Sequence, residues 1–324
     1  MPPHARAMDA RDLALFGGLF PPKALCSGRK QSENAELSGI RIAWKESNGA
    51  HPVALARRIS DRFTSFAETS GLDVPAPTYI AGECTSSFAL AWSLLEQGRL
   101  PEWSAVLCSC QTEGRGQLRR NWHSPRGNLY VSFRLPDDPV LQGDAASLST
   151  GRLLAGAFAR LGFSLSLKWP NDLLSNAGAK VGGVLLEEKD GVLLAGLGVN
   201  LVESPPAASL RQEGATCAGL LPLRAGEKIP PSPFLLWRHL VSALILEYSS
   251  SVAGRGLARV LTDLEPFLAW KGRDVVLTEY GGPSFTGRYQ GLGERGGLII
   301  RQSDGESREF FSGSLALAES AAEA

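Results

Sequence analysis

Four short segments of this 324-residue chain carry polar groups in arrangements that could do chemistry. The first is Gln111–Ser132, QTEGRGQLRRNWHSPRGNLYVS. Gly114-Arg115-Gly116 is followed by Arg119, Arg120 and Arg126 in one stretch without apolar periodicity. Glycines let backbone N–H groups come close to an oxygen-rich ligand. Arginines add forked donors matched to phosphate or carboxylate. Trp122 offers a flat apolar face to a ring. The pattern describes an anion-binding loop, mobile until an anion neutralises it; a solvated basic loop is the alternative on composition alone.

The second segment is Lys168–Leu173, KWPNDL. It puts a lysine at a strand end, then a rigid Trp-Pro step and an Asn-Asp pair on one turn. Lys168 and Asp172 could brace the turn, or Asn171 and Asp172 could face a ligand or a magnesium ion. The third, Lys180–Glu187 (KVGGVLLE), sets a lysine before two glycines that open a buried strand, a sign that something bulky approaches the backbone. The fourth, Gly196–Leu201 (GLGVNL), alternates glycine with apolar residues and ends in Asn200. It suits close strand packing or a pocket floor with a polar anchor.

The elements that must hold these segments are legible on either side of them. Thr78–Ala81 and Ala105–Cys110 read as strands. Ser86–Gln97 reads as a helix entered through Thr85–Ser86 and closed by Gly98. Asn128–Leu135 alternates, with Leu129, Val131, Phe133 and Leu135 on one face and Tyr130, Ser132 and Arg134 on the other. Ala145–Leu161 is a helix, followed by the strand Ser164–Lys168. Val184–Glu188 and Val192–Val199 flank Asp190–Gly191, a strong hairpin signal. The Pro-rich stretch 204–233 reads as loop, and Phe234–Ser250 and Leu257–Leu268 as helices. After Trp270 come short strands with glycine-rich turns, at Asp274–Glu279, Ser284–Leu292, Gly297–Gln302 and Glu309–Ser312. They predict a small barrel appended to an α+β domain. Upstream, residues 1–39 read as a loose extension, and Val53–Ala67 shows helical spacing of Leu55, Ile59, Phe63 and Phe66. Val74–Pro77 marks a boundary. The expected division is therefore 1–76, an extension; 77–269, the main domain; and 270–324, the small barrel.

Composition narrows the function classes. Lys+Arg and Asp+Glu both number 33, so the basic excess of a general nucleic-acid binder is missing. The apolar share of 44% and charged share of 20% are those of a soluble globular protein. No run is long enough to cross a bilayer, and no secretory signal opens the chain, so a cytoplasmic location without membrane contact is expected. Cys26, Cys84, Cys108, Cys110 and Cys217 are odd in number and scattered. They predict buried free thiols rather than a disulfide framework or a zinc site.

Taken together and in order, the four segments resemble the biotin–protein ligase family. Its pattern is a Gly-Arg-Gly loop with a downstream Trp and Ser-Pro, then Lys-Trp-Pro-Asn-Asp, then Lys-x-x-Gly, then Gly-x-Gly-x-Asn. Gly214–Leu220 (GATCAGL) also resembles the family's Ala-Thr-Ser-Leu stretch, and the closing strands with Gly313–Ser314 resemble its Src-homology-3-like module. The resemblance runs from about Thr78 to Ala318. It implies a mixed β-sheet flanked by helices, of the class II synthetase-like kind, with a small C-terminal β-barrel. It implies ATP and biotin as substrates, magnesium with the ATP, and a biotin carboxyl carrier protein or domain as partner. Nucleic acid is not an expected partner, and a homodimer is left open.

Site residues follow from the same resemblance. Biotin would meet Cys84, Thr85 and Ser86 at the helix head, Gln111, the loop residues Gly114, Arg115, Gly116 and Gln117, and Lys180. The adenylate would meet Arg120, Trp122, Lys168, Asn171, Asp172 and Asn200. Lys180, Arg115 and Arg120 would be catalytic. Three positions depart from the pattern: Gln117 where many members have arginine, Arg119 where glycine is common, and Cys84 for the usual serine. A lipoate–protein ligase or octanoyl transferase is the nearest alternative, and a ligase that also represses transcription through an N-terminal DNA-binding domain is another.

Overall fold

Apolar runs too short for helices become strands, and in the computed structural model they alternate with four helices among the described residues. The structure describes residues 36–37, 40–44, 65–69, 75–206, 216–224, 226–228 and 230–318. The strands are β1 (Glu36–Leu37), β2 (Ile40–Trp44), β3 (Ser65–Thr69), β4 (Thr78–Cys84), β5 (Ala105–Gln111), β6 (Leu129–Arg134), β7 (Leu165–Lys168), β8 (Asp172–Ser175), β9 (Lys180–Lys189) and β10 (Val192–Val199). Five more follow: β11 (Asp274–Thr278), β12 (Ser284–Leu292), β13 (Leu298–Arg301), β14 (Ser307–Phe310) and β15 (Ser314–Leu317). The helices are α1 (Ser87–Glu96), α2 (Ala146–Arg160), α3 (Pro233–Ser251) and α4 (Leu257–Leu264). The chain forms two compact units, one of residues 1–137, 185–203 and 225–245, the other of 138–184, 204–224 and 246–324.

In the first unit the strand order is β1-β2-β3-β4-β5-β6-β10-β9, with β4 and β5 parallel in a mostly antiparallel sheet. A sheet covered on both faces needs apolar residues on both, and β5 and β6 are buried almost throughout. One face takes α1, whose Phe88, Leu90, Ala91 and Leu94 pack with Tyr79, Ala81, Val106, Cys108 and Leu194. The other takes the start of α3: Trp237 lies 5.1 Å from the Phe133 ring and donates its indole N–H to Thr78 at 3.2 Å. Helix α1 begins as the sequence implies, with the Ser86 hydroxyl accepting from the Phe88 N–H. The β9–β10 turn has positive φ at both Asp190 and Gly191, the type I′ geometry that an Asp-Gly pair favours.

In the second unit, β7, β8 and the start of β9 form antiparallel ladders, with Lys168 opposite Asp172 and Asp172 opposite Gly183. Helix α2 packs on β7 through Gly151, where a methyl group would sit 2.6 Å from Leu167. Helices α2 and α3 are joined by an ion-pair network: Glu247, buried, takes Arg152 at 2.8 Å and Arg160 at 2.5 Å. The last five strands form an antiparallel sheet in the order β14-β13-β12-β11-β15.

The expected α+β class and the mixed sheet flanked by helices are what the structure has. The expected barrel is a five-stranded antiparallel sheet, with no ladder joining β14 to β15 among the described residues. Three local expectations need correction. The helix read over Val53–Ala67 is contradicted at its end, since Ser65–Ala67 belong to β3, which pairs on both edges with β2 and β4; ladder bonds to two neighbours outweigh spacing alone. Positions 53–64 lie outside the described residues. Of the loose extension over 1–39, only Glu36–Leu37 are described, and they pair with β2. Strand β8, read as part of a turn, is a strand because Asp172–Ser175 pairs with both β7 and β9.

Candidate functional site

In the first unit the glycine–arginine segment leaves the end of β5 and doubles back as a miniature hairpin. The Trp122 N–H donates to the Gly114 carbonyl at 2.8 Å, and the Gly116 N–H to the Arg120 carbonyl at 2.8 Å. Arg115 bridges antiparallel to Asn121. The turn at Gln117–Arg119 is tight enough to hold Leu118 at φ 56°, the left-handed region. Gly114 is required by space: a Cβ there would lie 2.5 Å from the Ser124 hydroxyl and 2.8 Å from the Trp122 carbonyl. Gly198 on β10 is required by Trp122, whose indole nitrogen would stand 2.6 Å from a methyl at that position. Strand β10 thus forms the floor on which the indole rests.

A polar chain fixes the base of this hairpin. The Gln111 side-chain oxygen accepts from the Ser87 N–H at 2.8 Å and from the Ser87 hydroxyl at 3.1 Å, while its amide nitrogen donates to Ser124 at 3.2 Å. Ser87 continues to Ser132 at 2.7 Å. At the far end of β10, buried Asn128 accepts from the Leu201, Val202 and Glu203 N–H groups and donates to the Glu203 carbonyl. That clamp shapes the backbone directly after Asn200, itself buried. Ser87 and Asn128 were not singled out in the sequence. For Asn128 a signal existed, an Asn after Gly127 at the mouth of a strand; for Ser87 there was none beyond its helix-head position.

Cys84 is placed elsewhere. Its sulfur is buried 2.6 Å from that of Cys108, and burial followed by the Cys108 contact pushes its pKa up. It lies inside the core, which leaves Thr85 and Ser86 as the polar groups at the head of α1. The Ser86 hydroxyl is itself the cap of α1. His123 pairs with Glu203 at 3.0 Å.

The second unit gathers the other predicted residues around one carboxylate. Asp172 takes Lys180 at 2.6 Å on one oxygen and Lys168 at 3.3 Å on the other. Burial alone would raise its pKa, but the two ammonium charges and their hydrogen bonds outweigh that, and the carboxyl is held below its usual range. Lys168 also donates to the Thr216 hydroxyl at 2.9 Å and lies 5.4 Å from the Trp270 ring. The Lys180 backbone is pinned by Cys217 and Gly219, at 2.7 and 2.9 Å. Thr216–Ala218, read only as a resemblance, therefore forms the wall beside Lys180. Asn171 locks the turn onto β9: its amide donates to the Val184 carbonyl at 2.6 Å, and its carbonyl accepts from the Val184 N–H.

Both readings left open for Asp172 can now be weighed. A carboxylate with two lysines on it makes a poor magnesium ligand, and no cluster of three His, Cys, Asp or Glu suits a metal among the described residues. The brace is the reading that fits. Among these three side chains the net charge is +1, an arrangement that attracts an anion and repels a cation.

Known proteins resemble this chain along the same residues. The family model described as Biotin/lipoate A/B protein ligase family matches residues 81–201. The biotin–[acetyl-CoA-carboxylase] ligase of Paracoccus denitrificans is 30% identical over 213 residues, covering 60% of this chain and 83% of that protein. The bifunctional ligase/repressor BirA of Bacillus subtilis is 28% identical over 219 residues; the match spans 65% of each chain. Among solved structures, a biotin protein ligase from Aquifex aeolicus in complex with biotin and ATP shares 26% identity with a TM-score of 0.56, covering 74% of this chain and 99% of that one.

Proposed function

From the premise that the chain belongs to the biotin/lipoate A/B protein ligase family, we propose that it is a biotin–protein ligase, which joins biotin to AMP at the expense of ATP and passes it to a carrier lysine. The observation that carries this reading is the surplus of cation on Asp172, where two lysines share one carboxylate. In the first step an oxygen of the biotin carboxylate attacks the α-phosphorus of ATP, and the bond to the pyrophosphate oxygen breaks. Two anions must meet, so cations are the chemistry the protein has to supply. Lys180 is assigned to the biotin carboxylate, and Arg115 and Arg120 to the phosphate.

In the second step the free amine of a carrier lysine attacks the carbonyl carbon of the mixed anhydride. AMP leaves with the electron pair, and the amine loses a proton as the amide forms. No protein nucleophile is needed. Biotin is assigned to Thr85, Ser86, Gln111 and the Gly114–Gln117 hairpin, and the adenylate to Trp122, Lys168, Asn171 and Asn200. Asp172 is assigned a bracing role rather than a contact. Magnesium belongs to the triphosphate in this reading, with no protein residue assigned to it. The partner is a carrier domain of a biotin-dependent carboxylase, the location cytoplasmic, and residues 77–269 and 270–324 the catalytic and closing domains.

The test is release of pyrophosphate from ATP that depends on biotin. Wild type releases it, and Lys180→Ala, still folded at the assay temperature, releases it about 10²–10³-fold more slowly. Biotin-independent release, or wild-type turnover in Lys180→Ala, overturns the assignment.

A further inference from the structure

Glu187 stands on β9 at the end of the KVGGVLLE segment, and nothing in the reaction above uses it. Its two carboxylate oxygens are divided between two partners of the first unit. One accepts the Trp92 indole N–H at 2.8 Å; the other faces the Arg115 guanidinium at 3.3 Å. The two bonds differ in kind. Trp92 packs against the core cluster beneath α1, with Leu185 beside it, so its bond to Glu187 joins two structured elements. Arg115 lies on the first arm of the hairpin, opposite Asn121, with its side chain 46% exposed, and this ion pair ties that arm to the sheet.

An arginine on an exposed loop gives up rotamer freedom when a ligand orders it. A carboxylate already anchored by an indole lowers that loss. It holds one corner of the guanidinium and leaves the planar fork oriented. We propose that Glu187, fixed by Trp92, is the positioning residue for Arg115, and that this relay from α1 through β9 sets how long the hairpin retains an activated biotin. The inference rests on the biotin–ligase reading. Glu187 acts through Arg115 and touches no reacting atom, so its effect must vanish when Arg115 is removed.

The experiment is a double-mutant cycle read as the half-life of protein-held biotinyl-adenylate, formed from biotin and ATP and then freed of both by rapid gel filtration. Exposed ion pairs contribute up to about 1 kcal/mol, so Glu187→Ala is expected to shorten the half-life about 5-fold. Trp92→Phe, which keeps the ring and loses the donor, is expected to shorten it about 2-fold. In an Arg115→Ala background neither change shortens it further. Equal shortening in both backgrounds, or no change in either, overturns the proposal. Should Glu187→Ala melt below the assay temperature, Glu187→Gln runs the same cycle, since an amide still accepts from Trp92 while losing the charge. A wild-type protein that forms no adenylate overturns the ligase reading itself; adenylate that forms with a half-life indifferent to Glu187 overturns this inference alone.

Discussion

The two cation-bearing regions are built in opposite ways. Around Asp172 the charges are set in strand ladders: Lys168 and Asp172 face each other across a hairpin, Lys180 opens β9, and Asn171 locks the turn by two bonds to Val184. Around Arg115 the charges sit on a hairpin held by backbone bonds, with Leu118 exposed at a strained turn and an ion pair from Arg115 to the sheet. The difference teaches a division of labour. A charge that must be in place before the reaction belongs in a ladder, where rotamers are fixed by packing. A charge that must close on a ligand belongs on a loop that can move.

The largest break in that comparison is Lys180→Ala. Removing one prepositioned donor costs about 10²–10³-fold in rate, so biotin-dependent pyrophosphate release should fall by about that factor, while melting falls less than in Asp172→Asn because Lys168 still pairs with the carboxylate. Equal losses in activity for Lys180→Ala and Arg119→Ala would show that general charge, not the ladder position, is what matters.

Asp172→Asn breaks the same region through the fold. Leaving two lysines on a neutral amide in a largely buried site should lower unfolding stability by about 3 kcal/mol, measured by denaturant titration at pH 7. The pH dependence carries the sign. A carboxyl held below its usual range stabilises the fold fully above the unfolded value, near about 4, and that contribution is lost as pH falls through the lowered folded value. Wild type therefore loses stability on acidification that Asp172→Asn has already lost, and the two curves converge. Curves that stay parallel to pH 3 would contradict the brace.

How much of this was legible in the sequence depends on where the signal lay. The order and chemistry of the four segments were on the surface of the text, because glycines beside arginines or a lysine have few structural excuses. The Asp190-Gly191 turn, the α1 cap at Ser86 and the alternation of β6 were legible for the same reason: each is a local rule acting alone. What the sequence hid was pairing. Strand β8 is four residues long, and only its neighbours β7 and β9 make it a strand. Ser65–Ala67 carry helical spacing, yet two flanking strands claim them. The hydroxyl of Ser87, the clamp of Asn128 and the position of Glu187 all depend on partners distant in the chain. The sulfur of Cys84 was read toward a ligand and lies in the core, against Cys108 of the neighbouring strand, a partner distant in the chain.

Smaller changes act on the hairpin. Gly198→Ala pushes a methyl group into the Trp122 indole, and overpacking of this kind costs about 1–3 kcal/mol. The expected result is a raised KM for ATP with a modest fall in melting temperature, because the strain falls on the hairpin rather than on the core. Gln117→Arg should act in the other direction. Adding a cation directly after Gly114-Arg115-Gly116 is expected to lengthen adenylate half-life by a few-fold, the scale of an exposed charge contact. An unchanged half-life would remove Gln117 from the account.

The reaction leaves its product on the carrier, where its identity can be read. The protein is incubated with ATP and an acceptor carrier domain, with biotin in one sample and lipoate in the other, and the carrier is analysed by intact-mass and fragment mass spectrometry. The account predicts one biotin on the carrier's acceptor lysine, dependent on ATP and lost in Lys180→Ala, and an unmodified carrier with lipoate. Lipoyl transfer in place of biotin, or an unmodified carrier in both samples, would contradict it.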